Sequence, residues 1–287
     1  MVGIFTTHIL KINIPHISTI LKIIPFGDIH RDSHNCDVGR WKDFLQRAKE
    51  EDDENTRYLG MGDYFDFASY SEQRALRSAK LHESTIIKLD ENVRKDVQGL
   101  ACELGFMKGR LLGLIEGNHD WTYADGKTAT KELSERLGCK CLGNLTYIRM
   151  KIAVLSTKKI RLAVDIFAAH GKSSGKLVGT SFNTVDDMKK VAPDADIYIM
   201  GHDHKKGAIP TSSLEFVGHK ELTPKQRRQW LIRSGSFLKG YEVNSPSYIV
   251  NSISRPCDLG VVRIECGFHR DKKHYKDLIS KDIHCWS

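Results

Sequence analysis

Five short apolar runs in this 287-residue chain each lead into polar residues of one kind. Residues 21–27 lead into Asp28 and His30, and residues 58–62 into Asp63 and Asp66. Residues 112–117 lead into Asn118, His119 and Asp120, residues 162–169 into His170, and residues 197–201 into His202 and His204. Carboxylates, an amide oxygen and imidazoles form a hard-to-borderline ligand set. It suits Mn²⁺, Fe, Zn²⁺, Co²⁺ or Ni²⁺ better than Ca²⁺ and needs no thiolate. There are enough groups for two ions sharing one carboxylate. Two ions roughly 3.5–4 Å apart polarise a phosphoryl oxygen and yield a hydroxide near neutral pH. Five of the 13 histidines belong to this ordered set, which separates it from scattered surface imidazoles.

Such groups meet only if strand ends bring them together. In open α/β sheets ligands collect outside the carboxyl ends of the strands, and glycines beside the motifs let the chain turn sharply there. The pattern up to Met200 alternates strands and helices, which predicts a layered α/β domain. Ile4–Ile14 and Thr19–Phe26 read as a hairpin. A helix follows Asp37, with Val38, Trp41, Phe44, Leu45 and Ala48 on one face. Longer helical spacing runs over Ser84–Leu104, and a further helix over Thr128–Leu137 closes at Gly138. Tyr147–Leu155 and Ile160–Ala169 read as a second hairpin. A helix is expected at Asn183–Val191 and a strand at Ile197–Met200. Strands are expected beyond that at Leu214–Val217, Trp230–Arg233, Tyr248–Ile253 and Gly260–Cys266. No composition break divides the chain, so residues 1–266 are expected to form one domain and residues 267–287, with His269, His274 and His284, a polar tail.

Composition excludes several classes. Hydrophobic residues at 40% and charged residues at 28% describe a globular chain, not a disordered one. No apolar run approaches the roughly 20 residues of a membrane helix. Residues 1–26 lack the basic start, long apolar middle and small-residue cleavage site of a secretory leader. Seven scattered cysteines do not make a disulfide framework and point to a reducing, cytoplasmic setting. The formal net charge is +8, and most of it lies in Lys205–Gly240, where eight basic residues face two acidic ones. A charge run is commonly only a solvated face. This one begins directly after the last motif, so Lys205 and Lys206 are expected near the metals and Lys225–Arg228 to extend a positive track for a polyanion.

Taken in order, Asp28-x-His30, Gly62-Asp63-x-x-Asp66, Gly117-Asn118-His119-Asp120, His170-Gly171 and Gly201-His202-x-His204 resemble the motif series of the calcineurin-like metallophosphoesterase superfamily. The resemblance spans residues 27–204. It implies a four-layer α/β/β/α sandwich of two mixed β-sheets flanked by helices. It also implies two divalent metal ions, Mn²⁺ foremost, with Asp28, His30 and His204 on the first, Asn118, His170 and His202 on the second, and Asp63 bridging. A metal-bridging hydroxide would attack phosphorus in line, His119 would protonate the leaving alkoxide, and Asp120 would orient His119. Asp66 would orient loops or groups around the metals. Arg31 and His34, after the first motif, are either substrate contacts or exposed loop residues.

In the Ser/Thr protein phosphatase branch of the superfamily the second motif continues Gly-Asp-x-Val-Asp-Arg-Gly. Here Phe67-Ala68 follows Asp66, so that branch's phosphate-clamping arginine has no counterpart. The expectation is a phosphodiesterase acting on nucleotides or nucleic acid. The alternatives are a small-molecule phosphomonoesterase and a non-catalytic scaffold. A scaffold would be expected to have lost a ligand or His119, and none is lost. Oligomeric state has no sequence signal.

Overall fold

The structure, a computed structural model, describes residues 4–79, 82–156, 161–172, 175, 177–218, 221–243, 250, 255–273 and 276–287. Its first sheet has six strands in the order β1 (Phe5–Ile14), β5 (Leu145–Val154), β6 (Arg161–Ala169), β7 (Ile197–Met200), β9 (Thr223–Ser234), β8 (Lys206–Val217). The second has five, in the order β11 (Lys276–Trp286), β10 (Arg263–Lys273), β2 (Leu21–Phe26), β3 (Thr56–Gly60), β4 (Leu111–Leu114). Both are mixed: β1–β5, β6–β7, β7–β9, β2–β3 and β3–β4 pair in parallel, the remainder antiparallel.

Side-chain alternation explains the layering, because successive residues of a strand face opposite sides. Leu21 and Ile23 of β2, Val164 and Ile166 of β6, and Ile197 and Ile199 of β7 belong to one core between the sheets. The opposite residues feed two outer cores. Ile24, Phe26 and Tyr58 pack with Trp41 and Leu45 of α1 (Val38–Glu50), Val93, Val97 and Leu100 of α3 (Glu83–Glu103), and Leu133 of α4 (Ala129–Leu137). Phe167, Tyr198 and Leu231 pack with Phe182 and Val185 of α5 (Val178–Asp186). The result is the α/β/β/α sandwich that the motif series implied. A short α2 (Tyr70–Ser78) lies between β3 and α3. Among the described residues no helix is long and apolar enough to cross a membrane.

Local signals account for most helix ends. The Asp37 side chain accepts from Arg40 N at the start of α1, and Thr128 accepts from Lys131 N at the start of α4. Gly138 closes α4 in the left-handed conformation, φ +68°.

Three expectations are corrected. β1 and β2 are not a hairpin: they lie in different sheets, with Ile12 and Ile14 meeting Leu21 and Ile23 across the central core. They pack face to face, which two apolar β-runs satisfy as well as edge pairing. The helix expected from Asn183 begins at Val178, because Ser181, Phe182 and Val185 form its buried stripe, and ends in a 3₁₀ turn at Asp187–Lys190. The boundary at residue 266 falls inside a strand. Burial of Val262, Ile264, Cys266 and Phe268 continues without a break, and β11 returns antiparallel with Ile283 in the same core. The polar face of this pair hides the alternation when composition alone is considered. His274, and apart from Val250 the strand expected at residues 248–253, lie outside the described residues.

Candidate active site

All five motifs sit at carboxyl ends of strands, and both sheets contribute: β2, β3 and β4 from one, β6 and β7 from the other. The connecting backbone interlocks them. Asp28 N donates to Gly62 O (2.9 Å), and the amides of Ile29 and His30 donate to Asp63 O (2.9 and 3.1 Å). Across the sheets, His202 N donates to the Asp28 carboxylate (3.0 Å) and Phe237 N to Asp28 O (3.0 Å). Among the described residues, the non-glycine residues at positive φ are Asp28, His30, Asp63, His202 and His204. Such conformations are costly for L-residues and persist where surrounding structure over-determines them, most often at functional sites. Gly117 is required for another reason: a Cβ there would lie 1.9 Å from Asp63 Oδ1.

The side chains form adjoining clusters. Asp28, His30 and His204 offer ligand atoms within 4.8 Å of one another, as do Asp63, His170 and His202. Asn118 Oδ1 lies 2.9 Å from His170 Nε2 and 2.6 Å from His202 Nδ1. Asp63 Oδ2 stands between the groups, 3.2 Å from His170 Nε2 and 3.9 Å from His30 Nε2. The residues expected from the motifs as metal ligands are thus brought together in two neighbouring sets.

The chemistry of the donors fits cations. His170 Nδ1 donates to Met61 O (2.9 Å), a carbonyl that only accepts, so Nε2 is the nitrogen that faces Asp63 and Asn118. His30 Nδ1 is hydrogen-bonded to Asp66 Oδ1 (3.1 Å), which leaves His30 Nε2 buried with no hydrogen-bond partner. Outer partners that fix the tautomer in this way are a regular feature of histidine ligands. His202 Nδ1 and His170 Nε2 face each other at 3.1 Å beside an amide oxygen, an acceptor-rich corner that a divalent ion would satisfy. Burial, then the neighbouring His30, push the His204 imidazole down to about 3, and burial with His170 pushes His202 down to about 4. Both are therefore neutral, as ligands must be. Burial raises the Asp63 carboxyl, but His170, His30 and His119 outweigh it and hold it well below the usual range.

His119 stands beside these clusters with its side chain 28% exposed. Its Nδ1 donates to Phe67 O (3.1 Å) and lies 3.2 Å from Asp66 Oδ1, so Nε2 is the nitrogen left for a substrate. Asp66, on the loop after β3, thus touches both His30 and His119. Asp120 does not orient His119. Its Oδ1 accepts from Thr130 N (2.9 Å) at the start of α4, and burial, then the adjacent Glu116, push its carboxyl up to about 8. Adjacent side chains diverge from the backbone, so proximity in sequence misassigned the partner. The spacing of Asp66 in the second motif was the available signal.

A cleft of about 770 Å³ opens over the clusters, lined in part by His119, Asp66, Phe182, Leu238, Lys205 and Lys206. Arg31 and His34 do not line it. The Arg31 guanidinium grips the Glu103 carboxylate of α3 through Nε (3.0 Å) and Nη2, and Trp41 Nε1 donates to the same carboxylate (2.8 Å). His34 is exposed, while its neighbours Ser33 and Asn35 reach the cleft. Replacing Glu103 by Gln should lower stability by about 1 kcal/mol, since both ion-pair partners are partly solvated. The urea midpoint should fall with turnover unchanged; a large loss of turnover would show that Arg31 reaches the substrate.

Among the described residues beyond Lys206, the basic side chains of this segment do not line the cleft. Arg227 pairs with Asp196 (3.0 Å) and Glu215 (2.9 Å), and Arg228 lies 3.8 Å from Asp282. Arg233 is buried, donating to Gly201 O (2.9 Å) and Ser181 O (2.8 Å) and facing Asp203 at 3.4 Å. The expected positive track is therefore corrected. Strand pairing carries Lys225–Arg228 away from the site along β9, and three of the segment's arginines have structural partners. The sequence reading missed Arg233 and Asp203, which hold the His202–His204 loop from behind; a lone Arg at a strand end carries no distinctive spacing.

Two sheets flanked by helices, with interlocked carboxylate, amide and imidazole clusters at their strand ends, define a metal-dependent phosphoric ester hydrolase. The family model of the calcineurin-like phosphoesterases matches residues 21–206, from the start of β2 into β8, and the chain belongs to that family. Comparison with curated proteins finds no match.

Proposed function

We propose that this chain is a phosphodiesterase acting on nucleotides or nucleic acid, with two divalent ions, Mn²⁺ foremost. Asp28, His30 and His204 would hold one ion and Asn118, His170 and His202 the other, with Asp63 between them. When bound, such a pair neutralises phosphoryl oxygens and lowers the pKa of water. The chain's own residues do the rest. His119 presents Nε2 to the departing oxygen and delivers its proton there, with Asp66 and Phe67 O holding Nδ1. Asp120 takes no part at the reacting atoms.

The observation that carries the diester reading is the balance of charge on the cleft wall. A guanidinium gives bidentate recognition of a dianionic monoester phosphate. Arg31 is held by Glu103 and Arg233 is buried behind His202, so Arg255, exposed on the cleft wall, is the arginine that lines the cleft among the described residues; beside it Lys205 lies 3.4 Å from Asp203 and Lys206 2.7 Å from Asp258. That modest positive field suits a monoanionic diester. Apolar Phe182 and Leu238 in the cleft lining give a base-sized group somewhere to lie. The free cysteines support a reducing, cytoplasmic setting.

The test is a panel of aryl phosphodiesters, aryl monoesters, cyclic nucleotides and short oligonucleotides with Mn²⁺ and other divalent ions. Diesters are expected to exceed monoesters in kcat/KM. Activity on monoesters alone would overturn the diester reading, and a protein without stoichiometric metal would favour the scaffold.

A further inference from the structure

The cleft is not uniform from one end to the other. Going from His119, the next ring is His30, with centroids 5.3 Å apart, and then His204, 5.1 Å further on. Around His119 the lining is acidic or hydroxylic: Asp66, Ser69 and Glu72. Glu72 sits in the first turn of α2, and its carboxylate accepts from Ser69 N and Ser69 Oγ, both at 2.7 Å. Those two bonds hold it below the usual carboxylate range, and the charges of His119 and Asp66 both reach it. Gln73 Nε2 donates to Asp120 O (2.8 Å), which fastens this turn of α2 to the His119 loop. Beyond His204 the lining carries Lys205 and Lys206, paired with Asp203 and Asp258, and Arg255 leaves this end with positive charge in excess.

We infer that the cleft selects for substrate polarity: the leaving alcohol lies against Asp66, Ser69 and Glu72 and is uncharged and hydroxyl-bearing, while the retained ester arm lies towards Lys206 and Arg255 and carries negative charge. This rests on the diesterase reading above. The P–O bond that breaks is the one whose oxygen faces His119, and that oxygen leaves with the proton from Nε2. Water supplies the new oxygen on phosphorus, and its displaced proton restores the imidazolium. An anionic leaving group would meet two carboxylates as its own charge develops, the moment at which repulsion most affects rate. A sugar hydroxyl face would instead find acceptors in Glu72 and Ser69. The substrate class is thus a phosphodiester with a neutral polyol or nucleoside as leaving group and an anionic remainder.

The experiment uses the metal-loaded full chain and aryl methyl phosphodiesters whose aryloxide carries a sulfonate, no charge or a trimethylammonium group, each rate corrected for its uncatalysed hydrolysis. The wild type should discriminate against the sulfonate by roughly ten-fold in kcat/KM, the scale of a unit charge nearby in a partly solvated cleft. Glu72→Gln should reduce that ratio and Glu72→Lys should reverse it. The ratio is internal to each variant, so a change in overall rate does not obscure it. Equal turnover of all three substrates by the wild type, or a ratio unaltered in both variants, would overturn the inference while leaving the diesterase intact. Failure to turn over any diester in the panel would overturn both.

Discussion

Replacing His119 with alanine is expected to lower turnover of an aryl phosphodiester by roughly 10²–10⁴-fold, the usual worth of a positioned general acid. Bound metal, measured by atomic spectroscopy on the purified variant, should stay at the wild-type level. The separation follows from the geometry. His119 Nδ1 is engaged by Phe67 O and Asp66, and its ring stands 5.3 Å from that of His30, beside the clusters. Its backbone amide, which alanine retains, donates to Asp63 Oδ1 (3.0 Å), so the carboxylate between the two clusters keeps that contact. The loss should shrink as the leaving phenol becomes more acidic, because a better leaving group needs its proton less. Undiminished turnover would remove His119 from the reaction. Lost metal together with lost turnover would make it a ligand and not a proton donor.

Replacing Arg233 with methionine is expected to cost about 3–5 kcal/mol, the penalty for removing one partner of a buried ion pair. Arg233 is 0% exposed, and its guanidinium donates to Gly201 O and Ser181 O. The Asp203 side chain facing it is only 5% exposed. Methionine fills much of the same volume, so packing loss is small. What remains is a buried carboxylate that keeps Ser181 Oγ and Lys205 but has lost its buried cation, and a Ser181 carbonyl that has lost its guanidinium donor, while Gly201 O keeps the Asp203 amide. Chemical denaturation should show a lower midpoint with an unchanged slope. Asp203 lies between His202 and His204, so metal affinity should fall with stability. An Arg233→Met variant as stable as the wild type would mean that Ser181 and Lys205 satisfy Asp203 alone.

Most of the side chains that cluster at the strand ends can be picked out from the sequence. Asp28, His30, Asp63, Asn118, His170, His202 and His204 were legible because each follows an apolar run, and strand ends are where a sheet presents ligands. Glycines gave the second signal: Gly117 stands where a side chain would collide with Asp63. The roles of neighbouring residues were less legible. Asp120 adjoins His119 in sequence but faces α4, whereas Asp66, over 50 residues away, touches the ring. Arg31 followed the first motif closely and was captured by Glu103 from a helix 72 positions on. Such pairings depend on which loops and helices pack together, and nothing in local spacing encodes them.

By itself, the sequence determined the chemistry available to this protein. It supplied carboxylates, an amide and imidazoles in an order that fits a metal-dependent phosphoesterase, and strand and helix periodicities that require a layered α/β core. Only the tertiary structure decided that two sheets, not one, supply the site, that β1 and β2 part company across the core, and that the C-terminal residues close the second sheet. It also decided which charges remain at the cleft. The formal +8 belongs to the whole chain, but ion pairs with Asp196, Glu215, Asp203 and Asp258 engage several of its members. The physical reason is range. Propensity and alternation act over a few residues and survive in the sequence, whereas an ion pair is made between groups that only the folded chain brings within hydrogen-bonding distance.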